Sequence, residues 1–489
     1  MLFSELLSAA GLLEVTASGD AQVRRVVTDS RQVRDGDCFV AVRGTVTDGH
    51  QYIESAVASG CAAVVCEKAT AVPPEMPRAV VGDTRVAAGH LAQAILGWPV
   101  RKLTVIGVTG TNGKTTFTYL LRHILELAGH RPALLGTIAY DTLGGSAQAR
   151  TTTPGAVELA ELTGQMVTAG ATHLVMEVSS HALDQRRAAG IDFDVGVFTN
   201  LSGDHLDYHG SMPRYMAVKR LLFEGLSGDA HAVLNRDDKH AEQMASATSA
   251  PVLWYGLSPA ADVYGRIEGI DASGSRFELV CGGARTPVTT GLIGRHNVLN
   301  CLAAAAAAAA LGIDPRTSAA ALGEVRQVPG RLQRVHSPAP FEVLVDYAHT
   351  DDALRNVLQA LQPVKKGGRV ILVFGCGGDR DRTKRPRMAH VAEELAEEIV
   401  VTSDNPRTED PQAIIDEILA GFSHDGRAKV CVEPDRRAAI AAAVERAAPG
   451  DIVVIAGKGH ENYQVIGTER VHFDDVETAE HLLQQRWNW

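Results

Sequence analysis

Apolar and polar positions fall into two blocks with the same rhythm, preceded by a shorter segment with a different one. Between 102 and 199, continuous apolar runs alternate with amphipathic stretches. The runs 103–108, 173–178 and 195–199 predict strands, and the patterns over 115–128 and 180–189 predict helices. Strands apolar on both faces and separated by helices imply right-handed crossovers and a mostly parallel, doubly covered sheet. The rhythm resumes after about 332, with strands at 341–345, 369–374, 399–402 and 452–456. The helix after Asp351 carries Ala353, Leu354, Val357, Leu358 and Leu361 on one stripe. Residues 1–98 contain short apolar runs, 38–42 and 62–66, between Gly and Asp turns, which predicts a small α/β domain. Pro99 marks one boundary, and Val328-Pro329-Gly330-Arg331 marks another that reads as a hinge or linker. The expected organisation is α/β in three domains: 1–98, 99–330 with a P-loop-type parallel sheet, and 331–489 with a Rossmann-like sheet.

Composition narrows the class. A chain of 489 residues exceeds one hydrophobic core. With 45% hydrophobic and 21% charged residues it has the make-up of an ordinary globular protein. A net charge of −11 excludes broad nucleic-acid binding. Seven scattered cysteines with no C-x-x-C pair predict a reducing compartment without disulfides or a zinc site. Met1-Leu2-Phe3-Ser4-Glu5 lacks the basic segment of a signal peptide, and the alanine-rich run 301–311 spans only about half a membrane. The expectation is a cytoplasmic protein without membrane insertion, and a monomer.

The most specific local signal is Val105-Ile106-Gly107-Val108-Thr109-Gly110-Thr111-Asn112-Gly113-Lys114-Thr115-Thr116. A strand, a glycine-rich turn and a helix N-terminus in that order form a phosphate cradle of backbone N–H groups. Lys114 would reach the terminal phosphates, and the Thr115 hydroxyl would hold Mg²⁺. The strict pattern requires glycine where Val108 stands, so the loop is a variant. In such sheets ligands bind at the carboxyl ends of strands, and the unusual polar residues fall there: Glu177, Asn200 to His205, Asp346 to His349, Gly375 to Arg382, Asp404 to Arg407 and Gly457 to Glu461. Glu177 reads as a carboxylate for Mg²⁺ or as a helix-capping acid. His205 reads as a ligand for a second metal or as a turn cap. Pattern alone places Lys219 on a solvated helix surface. Asp404-Asn405-Pro406-Arg407 pairs an anion with a cation, as a zwitterionic amino acid requires, or is an ordinary Asn-Pro turn.

Together these residues resemble the Mur ligases, the ATP-dependent amide-forming enzymes of bacterial cell-wall precursor synthesis. The variant loop 107–116 is the form that superfamily shares with folylpolyglutamate synthases. Thr152-Thr153-Pro154, Glu177-Val178-Ser179-Ser180-His181, Gly203-Asp204-His205-Leu206-Asp207-Tyr208-His209 and Asp404-Asn405-Pro406-Arg407 carry the resemblance. It runs the length of the chain, as a UDP-sugar-binding, an ATP-binding and an amino-acid-binding domain. It implies the branch that adds meso-2,6-diaminopimelate to UDP-MurNAc-L-Ala-D-Glu through an acyl phosphate, using ATP and Mg²⁺. Peptidoglycan synthesis, cell shape and cell division are the implied context.

Roles follow from the resemblance at matching positions. Gly110, Thr111, Asn112, Gly113, Lys114, Thr115, Thr116, His296, Asn297, Arg331 and Asp346 would contact ATP. Thr28 and Ser30, beside Asp29 and Arg31, would meet the uridine end, with less distinctive contacts expected in the loop Thr45-Val46-Thr47. Thr151, Thr152, Thr153, Ser179, Gln185 and Arg187 would hold the muramoyl-peptide. Arg380, Asp404, Asn405, Pro406, Arg407, Gly457 and Glu461 would bind diaminopimelate. Lys114, Lys219, His205 and Glu177 are the implied catalytic set, with Thr115, Glu177, His205 and Lys219 on metal. Lys219 would be N6-carboxylated, reversing its surface reading. The alternatives are a lysine-adding ligase of the same family, a folylpolyglutamate synthase-like ligase, and a P-loop switch or motor protein.

Overall fold

The structure, a computed structural model, describes residues 1–12, 15–45, 47–69, 72–365 and 367–487. Val46, in the loop 45–47 singled out for UDP-sugar contacts, lies outside the described residues.

The N-terminal segment folds into a five-stranded sheet in the order Thr16–Ser18, Arg78–Val80, Ala63–Cys66, Asp37–Val40, Arg25–Val27. All pairs are parallel except the first. One face packs on helices Phe3–Ala9 and Thr84–Ile95, the other on Ile53–Ala58.

The central sheet has eleven strands, and its seven middle strands are parallel: Val263–Asp271, Val252–Gly256, His231–Asn235, Val195–Phe198, Thr104–Thr109, His173–Glu177 and Pro132–Leu135. Both edges continue antiparallel, through Gly274–Cys281 and Ala284–Thr290 on one side and Ala139–Asp141 and Ser146–Gln148 on the other. Those hairpins depart from the expected alternation. The turn at Gly282-Gly283, with φ of 56° and 82°, explains one of them, since positive φ favours a tight hairpin over a crossover. Helix Arg295–Ala310 lies between this sheet and helices Lys114–Leu127 and Pro315–Glu324. It is buried on nearly every side, and its alanines let neighbouring backbones approach closely.

The third sheet runs Gln333–Arg334, Glu342–Asp346, Ile452–Ala456, Val370–Phe374, Glu398–Val401, Val430–Val432, parallel after its first pair. The hairpin Tyr463–Ile466 with Glu469–His472 stands beside it. Among the described residues no helix is long and apolar enough to cross a membrane.

Two expectations are corrected locally. The helix over 180–189 stops at Asp184, and Arg186 turns left-handed at φ 54°. That reversal sends the Arg187 guanidinium back to the Thr153 carbonyl at 3.1 Å. Residues 328–331 are packed rather than a free linker: a Cβ on Gly330 would lie 2.2 Å from the His460 nitrogen. The stripe on helix Asp351–Leu361 is buried at Leu354, Val357, Leu358 and Leu361, with Ala353 at its half-buried edge.

Replacing Ala304 by Leu inserts three methylene-sized groups where no space exists. We expect a loss of about 1–3 kcal/mol in stability, read as a lowered denaturant midpoint at constant slope.

Candidate functional site

Val108 is a fully buried strand residue, paired across the sheet with Glu177 and Val197. The cradle therefore begins at Gly110, and the variant position takes no part in it. Gly110 has φ 150°, and a Cβ there would lie 1.9 Å from Thr199 Oγ1; Gly113 has φ 88°, and its Cβ would lie 2.3 Å from Asn300 Oδ1. Asn200 holds the loop by accepting from Thr111 N at its carbonyl and from Asn112 N at Oδ1, both at 2.9 Å. Lys114 Nζ curls over this frame, donating to the carbonyls of Gly110 at 2.8 Å and Thr111 at 3.0 Å. Enclosure lowers the Lys114 ammonium from its ordinary value against the opposing pull of Glu177.

Glu177 does not cap a helix. Its carboxylate accepts from Thr115 Oγ1 at 2.9 Å, from Thr137 N at 2.9 Å and from Thr137 Oγ1 at 3.0 Å. Arg331 donates to the same Thr115 hydroxyl at 2.9 Å and stacks over Tyr347. These groups line a cavity of about 250 Å³ with His296, Asn297 and Asp346. Asp346 accepts from Leu332 N at 2.7 Å and Ala348 N at 2.8 Å, and burial raises its carboxyl above the usual range. The C-terminal block closes this cavity directly: Asp352 accepts from Asn112 Nδ2 and from Ser202 Oγ, each at 2.7 Å.

Lys219 corrects its surface reading. It is 1% exposed, donates to the Gly110 carbonyl at 2.9 Å and lies 4.6 Å from the Tyr215 ring centre. Burial first, and the neighbouring Lys114 second, push its amine well below the ordinary value. Among the described residues it has no carboxylate within ion-pair distance. His205, at φ 54°, faces Asp204 with Nε2 3.5 Å from Oδ2 and packs edge-on against His181. Among the described residues no three imidazole, thiolate or carboxylate groups gather closely enough to hold a metal unaided.

A second cavity, of about 550 Å³, adjoins the first and is lined by Arg380, Asp404, Asn405, Arg407, Gly457 and Glu461. Thr137, Thr152, Asp204, His205, Tyr347 and His349 belong to both walls, so the two spaces meet. Arg407 sits at φ 55° and donates to the Gly378 carbonyl at 2.8 Å; among the described residues its guanidinium has no carboxylate partner. Pro406 is buried, its carbonyl packed against Gly378, and shapes the turn without lining the space.

A third cavity, of about 1050 Å³, lies against the N-terminal sheet and brings Thr28 and Ser30 together with Gln185 and Arg187. Asp29 and Arg31 pair with one another there at 2.8 Å, which leaves the flanking hydroxyls facing the space. Thr151 and Thr152 line the second cavity. Thr153 does not reach a cavity: it is 0% exposed, donating to the Glu177 carbonyl at 2.8 Å and accepting from Ser179 N at 3.1 Å. It aligns two site residues from behind.

Sequence reasoning missed Thr137, Asn300, Asp352 and Lys458. Thr137 and Asn300 stand in no motif. Lys458 falls inside a quoted strand-end segment and Asp352 in the first turn of the helix Asp351–Leu361, yet a charged residue beside a motif carries no signal of which way it points.

Comparisons with known proteins find relatives over nearly the whole chain. Residues 22–98 match the "Mur ligase family, catalytic domain", 108–308 the "Mur ligase middle domain" and 330–459 the "Mur ligase, glutamate ligase domain". The UDP-N-acetylmuramoyl-L-alanyl-D-glutamate–2,6-diaminopimelate ligase of Gloeobacter violaceus is 46% identical over 99% of each chain. A solved structure bearing the same ligase name is 36% identical, covers 95% of each chain and superposes with a TM-score of 0.68. The Mycobacterium tuberculosis folylpolyglutamate synthase complexed with ADP and AMPPCP shares the fold, with a TM-score of 0.63 and 21% identity over 76% of this chain and 92% of that one.

Gly110→Ala would force a Cβ into Thr199 Oγ1 from a backbone conformation that side chains avoid. We expect nucleotide affinity to fall about 30-fold or more, measured by titration with a fluorescent ATP analogue.

Proposed function

The chain belongs to the Mur ligase family and is an ATP-dependent, amide-forming ligase; from that premise we propose how its residues divide the work. The reaction is addition of meso-2,6-diaminopimelate to the D-glutamate side-chain carboxylate of UDP-MurNAc-L-Ala-D-Glu, in peptidoglycan precursor synthesis. The observation that carries this reading is the shared wall between the 250 Å³ and 550 Å³ cavities. A phosphorylated carboxylate formed at that wall is within reach of an amine held beyond it.

In this reading a D-glutamate carboxylate oxygen attacks the γ-phosphorus of ATP, and the bond to ADP breaks. The diaminopimelate amine, having lost its extra proton, then adds to the acyl carbon. The nitrogen then loses a second proton, and the tetrahedral intermediate collapses by breaking the carbon–oxygen bond to phosphate. Phosphate leaves with the displaced electron pair and takes up that proton, and the amide remains. Both reacting groups are anionic, so charge neutralisation and positioning dominate. Lys114, over the loop carbonyls, and Arg331, on the Thr115 hydroxyl, supply cations to the same cavity. The Lys114 ammonium swings from the loop carbonyls to the transferring phosphate.

Thr115 Oγ1 and the Glu177 carboxylate, 2.9 Å apart, are hard oxygen donors that suit Mg²⁺, which usually takes one or two protein oxygens together with phosphates and water. Bound there, the ion would offset triphosphate charge. Lys219, with an amine pushed toward neutrality against the weaker pull of Asp204 and, among the described residues, no carboxylate within ion-pair distance, suits carboxylation by CO₂ to a carbamate, with loss of a proton. That change replaces a buried cation by hard oxygens beside the same loop. His205 completes this wall. Thr28, Ser30, Gln185 and Arg187 would hold the UDP-muramoyl end, Thr151, Thr152 and Ser179 the peptide, and the three sheets would serve as the cores of three domains in a cytoplasmic enzyme.

Arg407 supports diaminopimelate over lysine. Its guanidinium has no carboxylate partner among the described residues, and the second carboxylate of diaminopimelate would supply one. Lysine would leave it unpaired at a cost of about 2–4 kcal/mol, a roughly 30- to 1000-fold loss in kcat/KM. Phosphate release from UDP-MurNAc-L-Ala-D-Glu, ATP and each amino acid measures this, and equal turnover with lysine refutes the preference. For Lys219, the alanine variant should lose most activity and recover part of it in millimolar formate or acetate. Absence of any recovery counts against the carbamate.

A further inference from the structure

The loop after strand Ile452–Ala456 reads Gly457-Lys458-Gly459-His460-Glu461. Gly457 and Gly459 both have positive φ, at 117° and 54°. Neither tolerates a side chain: a Cβ on Gly457 would lie 2.5 Å from Asp404 Oδ2, and one on Gly459 would lie 2.7 Å from Tyr347 Cβ. Pinned at both glycines, the loop sends Glu461 to the cavity wall and turns Lys458 inward, where it is 0% exposed.

We infer that Lys458 is a positioning residue for the amino-acid subsite, orienting the Asn405 amide and the Glu461 carboxylate from behind. This rests on the reading that the 550 Å³ cavity takes the incoming amino acid. Lys458 Nζ donates to Asn405 Oδ1 at 3.3 Å, to Glu461 Oε2 at 3.4 Å and to the Tyr463 carbonyl, which uses all three of its hydrogens. Val465 N also donates to Asn405 Oδ1, at 2.9 Å. Two donors on one atom fix which end of the amide is oxygen, so Nδ2 is the end that meets Glu461 Oε2, at 2.8 Å. Glu461 Oε2 is thereby occupied twice, while Oε1 remains to face a substrate ammonium. Asn405 likewise keeps one amide hydrogen for a substrate carboxylate. The donor and acceptor order of the subsite is set jointly by the Val465 N–H and the buried Lys458 cation, and of the two only Lys458 also donates to the Glu461 carboxylate.

The charged and titratable groups around Glu461 come from several elements. Asp404 follows strand Glu398–Val401, Tyr347 follows Glu342–Asp346, Tyr463 lies in the hairpin, His460 is its chain neighbour, and Arg436 lies on helix Arg436–Arg446. Arg436 is committed to Asp475, at 2.7 Å with both side chains fully buried. Burial and Asp404 raise the Glu461 carboxyl above its ordinary range, and Lys458 opposes them. Removing the Lys458 charge therefore raises it further, so the site loses its acceptor as pH falls, at a higher pH than in the parent enzyme.

The test uses the full-length enzyme with Lys458→Met, Lys458→Arg, Glu461→Gln and the K458M/E461Q double variant. Phosphate release gives KM for diaminopimelate and for ATP from pH 6.5 to 9.5, alongside thermal unfolding of each protein. K458M should raise KM for diaminopimelate about tenfold near neutrality and leave KM for ATP unchanged. Its acid limb should move to higher pH, K458R should restore part of the loss, and the double variant should be no worse than E461Q alone. An unshifted pH profile, an equal rise in KM for ATP, or additive effects overturn the inference. If K458M does not unfold cooperatively, Lys458→Gln takes its place in the same cycle. A crystal structure of the Lys458 variant decides the matter independently of substrate: Asn405 and Glu461 should separate, and an unmoved pair overturns the positioning role. Absence of diaminopimelate-dependent turnover in the parent enzyme would instead refute the functional reading, and leaves the crystallographic test standing.

Discussion

The Thr115 hydroxyl donates to Glu177 and accepts from Arg331, each at 2.9 Å. Three parts of the chain meet at that oxygen: the helix opening the phosphate cradle, the neighbouring strand end, and the segment leading into the third sheet. A second tie, from Asp352 to Asn112 and Ser202, clamps the C-terminal block on the same loop. Hydrogen bonds shared between charged and neutral groups in an enclosed site are stronger than their surface equivalents. The cavities on either side inherit their shape from this junction. Segment 328–331 is accordingly packed and specific, because a loose linker would let the two walls drift apart.

Charge is distributed around that junction with one logic. Cations line both cavities: Lys114 and Arg331 at the first, Arg407 at the second, with Lys458 behind the Glu461 carboxylate there. Lys219 is the exception, a buried amine beside another cation, with Asp204 opposing that cation more weakly and no carboxylate within ion-pair distance among the described residues. A charged form is costly in that position unless it is paired. The carbonyls that receive Lys114 and Lys219 belong to the loop after strand Thr104–Thr109, at the carboxyl edge of the parallel strands.

Much of this was legible along the chain because periodicity and turn chemistry are local. The parallel strands, the alanine-rich helix and the glycine-lysine-threonine turn each follow from near neighbours. The mostly parallel sheet follows from the alternation of strands and helices, whereas its antiparallel edges do not, although Gly282-Gly283 carries a local signal for one of them. Thr153 was assigned to substrate from its motif, yet it faces the backbone of Glu177 and Ser179. A motif records which residues are kept together. It does not distinguish a residue that touches the ligand from one that supports it.

The sequence by itself determined the elements, the phosphate cradle and the set of polar residues at strand ends, since all of these depend on spacing within a few residues. Tertiary structure decided what each polar side chain meets. Lys219 looks like a surface lysine in its local pattern and Lys458 stands in a strand-end segment without a reading of its own, and both are buried against groups more than fifty residues distant or across a turn that two glycines force. Val108 breaks the expected cradle on paper and lies harmlessly in a strand core. Burial and partner are properties of the packed chain, and they convert the opening glycine-rich run from a pattern into a site.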